Sequence, residues 1–138
     1  MSPARATWPG NGVTAATVAV VAAGGMLGSL ARYGIGQLWT SPWAIVAINI
    51  VGSLLLGLLM GRLSRGSASR GIRHPLLRPF IGIGVLGGFT TFSTAMVDLR
   101  VQLGLGHWPV ALELMLATTF GSLAAAGAGW RVASMGPG

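Results

Sequence analysis

The stretch Gly84-Val85-Leu86-Gly87-Gly88-Phe89-Thr90-Thr91-Phe92-Ser93-Thr94 decides how this chain is read: glycines, then hydroxyl residues around a phenylalanine, in the middle of an apolar segment long enough to cross a bilayer. A helix seldom runs intact through such a sequence, because glycine weakens it and Thr and Ser compete for its backbone groups. Irregular backbone at membrane depth is tolerated only where it is buried in protein or lines a wet cavity, so the interruption is expected to mark a site. Carbonyls freed around Gly87 and Thr90 turn partial negative charge inward and suit a cation such as sodium. Phe92 presents a ring beside the hydroxyls of Thr91 and Ser93, and the positive edge of such a ring faces an anion without offering a full charge. Taken alone, Phe92 reads as core packing.

The rest of the composition agrees with a membrane setting. Of 138 residues 52% are hydrophobic and 8% charged, with two acidic residues, far from the roughly 25% charge of an ordinary soluble domain. All nine basic residues are Arg, and they sit in loops and at span ends, a distribution that speaks for topology and not for nucleic acid. With no Cys there is no disulfide or thiolate chemistry, and His74 and His107 are too far apart in sequence to suggest a metal site. No paired acid and base or nucleophile constellation falls within the spans, so an enzyme is not expected.

Four spans of about 20 residues fit the chain. They are expected at 13–38, 42–61, 79–99 and 109–130 in one domain covering 13–131, after a mobile segment 1–12 and before a tail 132–138. Arg5 and the apolar run from Val13 to Ala23 also resemble a cleaved signal peptide, but apolar character continues past Gly28. The link Trp39-Thr40-Ser41 is so short that spans 1 and 2 are expected to be antiparallel neighbours. Trp39, Trp43, Trp108 and Trp130 fall at span ends, as an interfacial aromatic belt requires. Arg62 to Arg78 is the one sizeable loop. Four spans put both termini and this loop on one side, with Arg5, five loop arginines and Arg131 against Arg100 and Arg32; that side is expected to be cytoplasmic.

Polar residues inside the spans are the candidate site. Gly24 and Gly28 lie on one face of span 1 and permit close backbone approach. Arg32, near the far end of that span, either snorkels to the interface, or attracts an anion or caps a broken helix. Asn49, Ser53, Gly57 and Gly61 form a single four-residue stripe on span 2. Asn49 serves either as glue between helices or as a donor to an anion in a pore. Thr118 and Ser122, with Thr119 beside them, continue as a donor track on span 4, next to a small-residue stripe of Gly121, Ala125 and Gly129. Asp98 and Glu113 lie near span ends, where a solvated carboxylate is the simpler reading.

Together these residues resemble the CrcB/Fluc family of small fluoride channels. The resemblance rests on Gly24 to Tyr33, on Asn49 with Val51-Gly52-Ser53, and above all on Gly87 to Thr94, and it covers nearly the whole chain after Gly24. It implies an all-α membrane protein, an antiparallel dimer of four-helix subunits with a broken third helix, two parallel fluoride pores and a structural sodium ion at the dimer axis. By position, Gly87 and Thr90 look like the backbone sodium ligands, Asn49 like the pore amide, and Phe92 like the first ring of a phenylalanine box. Thr118 and Ser122 look like a hydroxyl track, and Asp98 stands where a vestibule glutamate is usual. Ala95 replaces the second box phenylalanine, and Leu114 replaces a tyrosine at the start of the track.

Such a channel lets the membrane potential drive trapped fluoride out of the cell across the plasma membrane, with no ATP site. Dual topology requires a weak arginine bias, whereas this bias is lopsided. A fixed orientation beside an oppositely inserted paralogue is therefore expected as the alternative to a homodimer. The rivals are a non-conducting or half-pore subunit of a heterodimer and a small four-helix exporter, which would want an embedded carboxylate that span 1 lacks.

Overall fold

The computed structural model describes residues 13–64 and 75–135. The segment 1–12, the loop residues Arg65, Arg70, Arg73 and His74, and the last three residues lie outside it, so the expected mobility of the N-terminus and most of the arginine asymmetry fall on residues not described. Among the described residues the chain is helical, with four helices long and apolar enough to cross a membrane.

Two of these are single rods, α1 (Ala15–Leu38) and α2 (Pro42–Ser64). The hydroxyl of Thr14 starts α1 by accepting the N–H of Thr17, which satisfies one of the orphan donors of a helix N-terminus. The third span, Pro79–Gly104, is composite. A π-helical stretch Pro79–Leu86 runs into one α-helical turn at Gly87–Phe89, together α3. Helix resumes as α4, Phe92–Gly104. Between them Thr90 (φ −80°, ψ 152°) and Thr91 (φ −153°, ψ 124°) are extended. Leu105 to His107, with Gly106 at φ 77°, turns the chain into α5, Trp108–Met135, which contains a widened π turn at Ala117–Gly121.

The helices outlast the apolar windows read from the sequence. α2 runs on to Ser64, α4 to Gly104 and α5 to Met135, past Arg62, Arg100 and Arg131. Hydropathy marks where lipid ends, whereas a helix stops only where its backbone bonding is cut, and Arg is itself a good helix former.

Spans 1 and 2 touch across their short link, but neither has the other as its main packing partner. α1 lies chiefly on α3, and α2 on the second half of α5, while α1 touches α2 only lightly. Glycine explains the pairing. A Cβ at Gly28 would collide with the Val85 carbonyl, and one at Gly57 with the Ala126 carbonyl, so both seams run backbone against backbone. Where no hydrophobic driving force separates helices from lipid, such close approach supplies the van der Waals contact that holds them. The span 2 stripe is thus divided: Gly57 and Gly61 pack on α5, while Asn49 and Ser53 turn to a cavity.

A small apolar cluster of Ile45, Ile48 and Ala95, with Ile35, Phe89 and Met96 against it, ties α2 to the third span. Elsewhere large apolar side chains such as Leu30, Leu56, Val97, Leu112 and Leu123 point outward, as befits surfaces in hydrocarbon. Trp39, Trp43, Trp108 and Trp130 are all exposed near helix ends.

Candidate functional site

Asn49 organises the interruption in the third span. Its Nδ2 donates to the Thr91 carbonyl and its Oδ1 accepts the Thr91 N–H, both at 2.8 Å. At 4% exposure the side chain is buried, so these bonds form where water does not compete and where losing them leaves polar groups bare. The two readings of Asn49 therefore coexist: it is glue between α2 and the third span, and one hydrogen of its Nδ2 is left over for another acceptor.

That pairing takes a backbone donor away from the helix. In a continuous helix the N–H of Thr91 would serve the carbonyl of Gly87, and that of Thr94 the carbonyl of Thr90. Here the first goes to Asn49 and the second to the hydroxyl of Thr91, which caps α4 at 3.2 Å. The carbonyls of Gly87 and Thr90 thus lose their helical donors. Leu86 keeps its own, from the Thr90 N–H at 3.1 Å and the Thr90 hydroxyl at 3.0 Å. Gly88 is supplied from another helix, by Ser29 Oγ at 3.3 Å and Arg32 Nε at 3.4 Å.

Beside this segment lies an open cavity of about 290 Å³. α2 contributes Asn49 and Ser53, the link and the start of α4 contribute Thr90, Thr91 and Phe92, and α5 contributes Thr118, Thr119 and Ser122. No charged side chain is among them. Thr118 is 5% exposed, and its Oγ1 and the Oγ of Ser122 are buried with no hydrogen-bond partner. Hydroxyls in helices commonly bond back to their own turn. These two do not, and they leave donors facing the cavity where the helix widens at Ala117–Gly121, a deviation frequent at functional sites. Phe92 is 64% exposed at the cavity wall.

Of the residues singled out from sequence, Asn49, Ser53, Thr91, Phe92, Thr118 and Ser122 therefore come together. Ser93 does not line the cavity; its hydroxyl lies 3.1 Å from that of Thr91. Asp98 lines a separate cavity of about 300 Å³ at the α1–α2 link, with Thr40, Ser41 and Thr94. Thr94 joins the two, its hydroxyl 3.2 Å from that of Thr91. Arg32 adopts the capping alternative, on the Gly88 carbonyl. His107 bonds Gln102 at an exposed turn, and no cluster of metal-ligating side chains occurs among the described residues.

Sequence reading gave no role to Ser29 or to the side chain of Thr90, and named Thr119 only as a neighbour. Ser29 was findable, three residues before Arg32 and hence on its face of α1. Ala95, 7% exposed, lies inside the apolar cluster, and Leu114 is buried in α5, so neither faces the cavity.

Comparison with known proteins shows which family the chain resembles over nearly its whole membrane-spanning region. A family model described as "CrcB-like protein, Camphor Resistance (CrcB)" matches residues 19–130. A protein of Thermobifida fusca named "Fluoride-specific ion channel FluC 2" is 42% identical over 127 residues, covering 88% of this chain and 86% of that one. "Fluoride-specific ion channel FluC 1" of Streptomyces coelicolor is 39% identical over 129 residues, covering 90% and 79%. "Fluoride-specific ion channel FluC" of Sphingopyxis alaskensis is 38% identical over 115 residues, covering 79% and 88%.

Proposed function

Because the chain belongs to the CrcB family, we propose that this multi-pass membrane protein is a fluoride-specific channel that lets fluoride leave the cytoplasm passively across the plasma membrane. The observation that carries the reading is the pair of buried, partnerless hydroxyls, Thr118 Oγ1 and Ser122 Oγ, in a cavity shared with Asn49 and free of charged side chains.

Fluoride is small, hard and strongly hydrated. A selective pore must replace its water with donors and yet bind weakly enough to release it. Neutral hydroxyls, the remaining Asn49 hydrogen and the ring edge of Phe92 meet both demands, whereas a buried guanidinium would hold the ion. The driving force is the membrane potential, about 2.3 kcal/mol per charge per 100 mV, and no energy-coupled step is needed.

The working unit in this reading is an antiparallel dimer in which the third span acts as a broken helix and two inverted protomers close each other's open cavities. Support comes from Phe92 and Ser93, which stand exposed midway along a membrane-spanning segment, a place where polar groups need protein cover. The donor-deprived carbonyls of Gly87 and Thr90 suit a sodium ion, which when bound supplies a fixed positive charge and ties the two interruptions together. Ser93 and Asp98 belong to the approach to the pore, and Asp98 to its vestibule.

A second reading, a half-pore subunit paired with a paralogue, is favoured by one observation: Phe92 is the single aromatic residue lining the cavity, with the place of a second ring taken by buried Ala95. FluC 2 and FluC 3 of Streptomyces avermitilis are two relatives from one organism, which is what a paired system needs.

Fluoride efflux from liposomes tests both. Efflux from vesicles holding this chain alone, lost with Asn49→Asp and Phe92→Ile, supports the homodimeric channel. Efflux that appears only when a paralogue is added supports the half-pore. Efflux unaffected by both substitutions would remove the site assignment.

A further inference from the structure

The Gly88 carbonyl is the one oxygen of the interrupted segment that α1 fills. Ser29 and Arg32 both donate to it, at 3.3 and 3.4 Å. They lie three residues apart on one face of α1. Immediately before Ser29, Gly28 sits so close to the third span that a Cβ would fall 2.7 Å from the Phe89 nitrogen. The two side chains are thereby aimed at one oxygen by a backbone contact with no room to slide. The guanidinium rests on a carbonyl and not on a carboxylate, so that contact leaves its charge unneutralised.

Gly88 is flanked by Gly87 and lies two residues before Thr90, whose carbonyls have lost their helical donors. We infer that Arg32 and Ser29 are positioning residues of the cation site: they withdraw the Gly88 oxygen from it, and the guanidinium charge beside it weakens its hold on a monovalent cation. The inference rests on the sodium reading given above. A cation facing two carbonyls and a nearby guanidinium from each protomer is held loosely. The same ion facing three carbonyls from each and no guanidinium would be held tightly and with less regard to size. Repulsion between unit charges about 6–8 Å apart at an effective dielectric of about 20 corresponds to roughly 30- to 100-fold in affinity.

The test reads stability and not flux. Purified full-length protein in detergent is unfolded by heat at a series of sodium chloride concentrations, with choline chloride holding ionic strength constant. A ligand that binds the folded state raises the midpoint temperature by mass action, so the sodium concentration giving half the rise reports the site. Arg32→Gln is expected to lower that concentration about tenfold or more and to let potassium stabilise as well. Arg32→Lys, which keeps the charge, is expected to stay within about threefold of the wild type. Ser29→Ala, which releases one of two donors, lowers it about two- to threefold.

A merely structural arginine would lower the unfolding temperature at every sodium concentration and leave the half-point where it was; that result, or a raised half-point, overturns the inference. Where Arg32→Gln yields no folded protein, an unchanged half-point in Ser29→Ala overturns it. A wild-type protein indifferent to sodium overturns the cation site itself and this inference with it, an outcome distinct from a sodium-sensitive wild type with identical variants.

Discussion

Asn49 and the backbone of Thr91 form a matched pair, each donating one N–H to the other's oxygen at 2.8 Å. Asn49→Asp keeps an acceptor for the Thr91 N–H but sets a carboxylate oxygen against the Thr91 carbonyl. Asn49→Ala leaves both backbone groups bare. Each is expected to lower stability by about 2–4 kcal/mol, measured as the unfolding midpoint in detergent, and to abolish efflux. An Asn49→Asp protein as stable as the wild type would mean that the pair contributes nothing to the fold.

Thr118→Val and Ser122→Ala separate function from fold in the opposite direction. Both hydroxyls are buried without a partner, and removing such a group relieves a desolvation cost of about 1–3 kcal/mol. Unfolding temperature is expected to stay level or rise, while fluoride efflux falls about tenfold or more for each. A loss of stability in both variants would show that these groups are bonded within the fold and do not serve an ion.

Ala95→Phe supplies the second ring that the resemblance implies at that place, yet is expected not to create a pore ring. Ala95 is packed with Ile45 and Ile48, and a larger side chain there overpacks the cluster at a cost of about 1–3 kcal/mol. Thermal unfolding is expected to drop with no gain in efflux. Faster efflux at unchanged stability would place this side chain at the pore after all.

The glycine seams give a paired control. Gly57→Ala puts a methyl group into the Ala126 carbonyl, whereas Gly25→Ala meets nothing within 4 Å. The first is expected to destabilise by about 1–3 kcal/mol. The second should be neutral or slightly stabilising, since Ala favours helix over Gly by about 1 kcal/mol. Equal effects on the unfolding midpoint would contradict the seam.

The four spans were legible because hydropathy alone sets them, and the Gly84 to Thr94 stretch announced its irregular backbone through residue types that disfavour helix. The members of the cavity were legible too, since Asn49 and Ser53, and Thr118 and Ser122, each keep the four-residue spacing of one helix face. Which helices pair was not. A short link predicts proximity, but Gly28 finds its complement in the third span and Gly57 in α5, and complementarity between distant surfaces leaves no trace in local periodicity. The partner of Asn49 was illegible for the same reason: an amide needs a partner, but its sequence position does not say that the partner is the backbone of Thr91.

The widened turn at Ala117–Gly121 acts as a phase shifter. Each residue of an α-helix advances the rotation by about 100°, so the extra length absorbed there decides which way everything downstream faces. Deleting one residue from this turn would leave Thr118 at the cavity wall while swinging Gly129 out of its groove against Leu54 and Gly57. The cavity wall and the helix seam are thus geared together, and a lineage that trims this coil by a single codon must rebuild the opposite wall to match.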